Sequence, residues 1–167
     1  MSENQTTTVY ALRIMTYPGA KNELSKMLSK YLVRTEYGDW ITILDGDYSE
    51  ALKALDAYRK ARPNTPLNVM MARVSLPTRF LVESLVDKLR EAIYRKEDPE
   101  KIATIVRNLR AITSDTNDRD LQDLLEMAIN MVLAIVAKND YPLIVKKLSE
   151  KIDKFKKKIT RKELVLV

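Results

Sequence analysis

The densest chemistry in this sequence is a run of cations near its end. Lys146, Lys147, Lys151, Lys154, Lys157, Lys158, Arg161 and Lys162, with Lys156 among them, fall within 17 positions. Lys147, Lys151, Lys154 and Lys158 recur at intervals of 4, 3 and 4. On a helix that interval draws one row along the cylinder, with roughly 5 to 6 Å between neighbours. Such a row can neutralise several phosphates of a nucleic-acid strand at once, and binding of that kind falls steeply with salt. Residues 142–167 hold nine basic and three acidic side chains, an excess equal to the +6 of the whole chain. Any anionic partner is therefore expected there first. The same row has two plainer readings: a solvated face that keeps the chain soluble, or a face turned toward residues 77–141, whose 10 basic and 12 acidic residues give −2. A lipid surface fits less well, because a single Phe155 is a weak interfacial anchor.

Other chemistry is thin. With no His and no Cys among 167 residues, there is no imidazole base, no thiolate nucleophile and no zinc site on nitrogen and sulfur ligands. Asp39, Asp45 and Asp47 surround a glycine turn and offer oxygen ligands, but turn formation and helix capping explain them. Asp118, Asp120, Asp123 and Glu126, with Asp115 before them, suit the start of a helix, where carboxylates complement the helix dipole. Residues 17–21, Tyr-Pro-Gly-Ala-Lys, lie between a strand and a helix without the glycine pattern of a phosphate loop. Seven of the eleven aromatics fall within residues 10–58. The strands there lack the aromatic and basic pattern of an RNA-binding sheet, so core packing of Tyr10 and Trp40 is expected. No cofactor and no metal are expected, and no enzyme.

These residues need a scaffold, and the periodicities supply one. Residues 8–15 alternate as a strand, 20–32 carry Leu24, Met27, Leu28 and Tyr31 at helical spacing, and 33–44 read as two strands about Gly38-Asp39. Asp47 and Glu50 form the capping-box pattern for a helix that Pro63 ends, and residues 67–76 complete the set as a strand. The order βαββαβ is that of a ferredoxin-like split βαβ unit. From residue 77 the strand signal stops. A helix over 78–96, one opened by Asp98-Pro99-Glu100, one over 119–138 apolar nearly all round its second half, and one from Pro142 predict a four-helix bundle. Ile144, Leu148, Ile152, Phe155 and Ile159 form the apolar stripe of the last helix, and residues 163–167 (ELVLV) are β-prone, suited to adding a strand to an open sheet edge.

The fold class expected is thus α+β: a ferredoxin-like module over residues 1–76 and a helical bundle over 77–167. With no apolar stretch near 20 residues, no membrane partner is expected, and with no signal-peptide pattern at the start the location expected is cytoplasmic. Low Gln content and 31% charged residues lean thermophilic. The function expected is a non-enzymatic, nucleic-acid-associated accessory subunit that binds a phosphate backbone through its last helix. The alternative is a scaffold that forms homo-oligomers or docks on a larger complex, without touching nucleic acid.

Overall fold

The computed structural model describes residues 5–114, 118–137 and 142–166. It is α+β, with one four-stranded antiparallel sheet and six helices among the described residues. The chain divides into two compact units between Thr78 and Arg79.

The first unit runs β1 (Thr6–Met15), α1 (Pro18–Leu28), β2 (Val33–Arg34), β3 (Trp40–Thr42), α2 (Asp45–Ala61) and β4 (Asn68–Pro77). The sheet order is β2-β3-β1-β4, so each helix carries the chain across one strand. β1 pairs with β4 along ten residues, from Thr6↔Pro77 to Met15↔Asn68. Hydrogen bonds lock both ends of this ribbon. Thr7 and Thr78 share a hydroxyl contact at 2.8 Å, and the Thr16 hydroxyl donates to the Pro66 carbonyl at 2.6 Å.

Alternation decides which side of the sheet is covered. Leu12 and Trp40 face the helices and are buried with Leu24 and Leu28 of α1 and Ala51 and Leu55 of α2. Arg62 at the end of α2 pairs with Glu23 of α1, and the Tyr58 hydroxyl donates to the same carboxylate at 3.2 Å. The tight turn between β2 and β3 needs Gly38, which sits at φ 88°, a region in which a side chain is strained. α2 begins one turn earlier than the capping-box pattern predicts. Its N-cap is Leu44, with no side-chain cap, and Asp45 and Asp47 lie inside the first turn. There they still complement the helix dipole, which is the reason acidic residues suit either position.

The second unit holds α3 (Thr78–Tyr94), α4 (Pro99–Thr113), α5 (Arg119–Val136) and α6 (Pro142–Leu166). α3 stops short of residue 96 because Lys96 turns left-handed, at φ 51°, and the Glu97 amide closes onto the Ala92 carbonyl. Asp98 caps α4 as its sequence predicts, accepting from the Glu100 amide at 3.1 Å. The Asp118 side chain does the same for Asp120 and Leu121 at the start of α5. Leu121, Leu124, Leu125, Ala128 and Met131 of α5 are buried, but Leu133 is 60% exposed. α5 is therefore one-sided among the described residues, rather than enclosed all round. α6 continues as helix through Leu166. The β-prone tail expected as a strand is an extension of that helix over residues 163–166: a formed helix propagates at one hydrogen bond per residue, which outweighs the weak strand preference of Val165.

Candidate functional site

The last helix was the expected site, and its inner face is apolar as the stripe requires. Leu148, Ile152 and Phe155 are at most 3% exposed, while the side chains of Ile144 and Ile159 lie outside the described residues. Burial of that seam fixes the rotation of α6 and with it the direction of the lysines between residues 146 and 158.

Three lysines meet carboxylates of the same chain. Lys158 donates to Asp120 of α5 at 2.7 Å, and Lys151 lies 3.6 Å from Asp123, one turn along the same helix. On the opposite flank Lys156 pairs with Asp87 of α3, and Arg90 of α3 meets Asp153 of α6 at 2.9 Å. α6 is thus bordered by ion pairs on both sides of its apolar seam. The hydrogen bond from Lys158 lowers the Asp120 pKa below the usual carboxylate range, helped by the charges of Lys158, Lys151 and Lys154. The same bond raises Lys158.

The expected row Lys147, Lys151, Lys154 and Lys158 is therefore divided by the fold. Two of its members turn toward α5, and two, Lys147 and Lys154, are exposed. Lys146 and Lys157 are exposed as well, and among the described residues none of these four makes an ion pair. At 100° per residue, Lys146, Lys157, Lys154 and Lys147 occupy an arc of roughly 100° on the outer side, with Glu150 in its midst. The side chains of Arg161 and Lys162 lie outside the described residues. Asp120 and Asp123 are the partners that the outward reading of the row leaves out; the signal for them was the acidic excess of residues 77–141.

The remaining candidates resolve into local structure. Asp39 accepts from the Arg13 guanidinium at 2.8 and 3.2 Å, and Asp45 and Asp47 belong to α2. No cluster of three potential metal ligands occurs among the described residues. Tyr10 stacks on Tyr48, with ring centres 4.8 Å apart, and Arg73 lies over the same Tyr10 ring at 5.1 Å. Trp40 is buried.

β4 is the surface that its sequence did not announce. The strand expected over residues 67–76 forms, yet only Leu67 and Val69 of it pack at the edge of the core of the first unit. From Met70 to Ser75 every residue is exposed, with Met70 at 57%, Met71 at 62% and Val74 at 40%. α1 and α2 lie over β1 and β3, so from Met70 to Ser75 β4 is held by its ladder to β1 and, among the described residues, is exposed on both faces and has no strand on its outer edge. No helix among the described residues is long and apolar enough to cross a membrane. No protein-family model, curated protein or solved structure matches this chain.

Proposed function

We propose that this protein is a non-enzymatic scaffold that associates with copies of itself, using a ferredoxin-like first unit as the assembling module. The observation that carries the reading is the state of β4: ten residues of strand at a sheet edge, with three large apolar side chains exposed on it. Edge strands in soluble proteins are ordinarily short, or guarded by lysines, prolines or bulges. The opposite edge follows that rule, since β2 is two residues long. Support for the module type comes from the strand order β2-β3-β1-β4, with the two helices over one face. Light scattering across a hundredfold concentration range tests the reading. It predicts a mass above that of one chain that declines on dilution, and a single-chain mass at every concentration overturns it.

The outer side of α6 supports a second reading, binding of a nucleic-acid backbone. It draws on Lys146, Lys147, Lys154 and Lys157, because Lys151, Lys156 and Lys158 already have carboxylate partners. Four phosphate contacts correspond to a log–log salt slope of about −3.6 on B-form DNA. A salt-titrated assay against DNA and RNA tests this reading, and the absence of binding at low salt ends it.

A further inference from the structure

We infer that the partner of β4 is β4 of a second copy, joined antiparallel about a two-fold axis that passes between the two Ala72 residues. The inference rests on the self-association proposed above and names the strand and register that produce it.

A two-fold that joins two edge strands side by side in antiparallel fashion must stand perpendicular to the sheet. It therefore pairs residues that share a face, and only registers centred on a residue are allowed. Along β4, Met70, Ala72 and Val74 share one face, and Val69, Met71 and Arg73 share the other, as their pairing with β1 shows. A centre at Arg73 sets two guanidinium groups directly opposite each other, which is unfavourable. A centre at Met71 sets Val74 against Asn68 and Met70 against Ala72, so the exposed Met70 and Val74 do not meet across the axis. With the centre at Ala72, Met70 faces Val74 of the second copy, and the two-fold repeats that pair on the other side of the small axial residue. One face then carries a continuous apolar patch of six side chains, while Met71 lies opposite Arg73 on the other face. Arg73 is already held over Tyr10, where its guanidinium donates to the Tyr10 hydroxyl at 3.2 Å, so it does not block the edge.

This register also uses the strand fully. Asn68 pairs with Leu76, and Pro77, which has no amide hydrogen to give, falls just beyond the paired span. Nothing between Asn68 and Leu76 is charged except Arg73, and none of it is proline. The unguarded length of the edge thus coincides with the length that the two-fold pairs. The result is one eight-stranded antiparallel sheet.

The absence of cysteine from the chain makes the register directly measurable. Ala72→Cys places two thiols opposite each other across the axis, at a Cα separation of about 4.5 to 5.5 Å, within the range a disulfide spans. Oxidation of that variant is expected to give a covalent dimer in high yield. Met70→Cys alone and Val74→Cys alone should not cross-link, whereas an equimolar mixture of the two should. Val74→Lys, which adds charge to the apolar patch, is expected to return the chain to monomer with its circular dichroism intact. If the unmodified chain is a monomer throughout, self-association and this pairing fall together. If it is an oligomer that Val74→Lys does not dissociate and the cysteine pairs do not trap, the strand assignment is wrong and the scaffold reading stands.

Discussion

The apolar seam of α6, and not its ion pairs, should hold that helix in place, and this bears on whether the lysines are available to a partner. Phe155 is 3% exposed, and Ile152 and Leu148, one and two turns before it on the same face, are fully buried. Phe155→Ala removes a ring from a closed seam, at a cost of about 3 to 5 kcal/mol. With an m-value of roughly 2 kcal/mol per molar, the urea midpoint falls by about 1.5 to 2.5 M. The comparison is the triple variant Lys151→Ala, Lys156→Ala, Lys158→Ala. The side chains in these pairs are between 36% and 60% exposed, a setting in which solvent screening leaves an ion pair little net effect. Its midpoint should move by a small fraction of the Phe155→Ala shift. Far-ultraviolet circular dichroism follows the helices of both units, and the single tryptophan, Trp40, reports the sheet unit alone, so the two signals together read the helical unit. Equal shifts for the two variants, or a larger one for the triple lysine variant, would refute the reasoning and make α6 an electrostatically fastened element.

Three further outcomes follow from local geometry. Replacing Lys146, Lys147, Lys154 and Lys157 by Glu should abolish any nucleic-acid binding, while Lys151→Glu with Lys158→Glu should weaken it far less; a filter-binding assay with a salt series separates the two. Because its folded pKa is lowered, Asp120 stabilises the fold above the ordinary carboxylate pKa of about 4. That contribution is lost as pH falls through the lowered value. Asp120→Asn should therefore flatten the acid limb of a stability–pH curve below about pH 4, and an unchanged limb would show that the pair does not form in solution. Gly38→Ala at φ 88° should cost about 1 to 2 kcal/mol, read from Trp40 fluorescence in urea; the cost is local backbone strain, because no atom beyond the adjoining residues lies within 4 Å of the added carbon.

Much of the secondary structure was legible because it rests on local signals. The alternation of residues 8–15, the Asp98-Pro99-Glu100 start of α4 and the stripe of Leu148, Ile152 and Phe155 each state an element and a face. What sequence periodicity leaves open is which neighbour covers that face. Val69, Met70, Met71, Val74 and Leu76 have the composition of an enclosed strand, and nothing local records that α1 and α2 sit over β1 and β3. The lysine row shows the same gap: its spacing places Lys151 and Lys158 on one line, but packing of the seam decides that this line faces Asp123 and Asp120. The tail, residues 163–167, has strand propensity that a helix already under way overrides through Leu166. Asp47 carries a capping signal that serves equally one turn inside the helix.

Amide hydrogen exchange along β4, followed as a function of protein concentration, tests the self-pairing of this edge most directly. In a strand bonded on one side only, alternate amides point away from the ladder to β1 and exchange quickly. The account predicts that these outward amides between residues 68 and 76 become as slow as their inward neighbours as concentration rises, and quicken again on dilution. Outward amides that stay fast at every concentration, in a chain whose mass is that of a single copy, would contradict it.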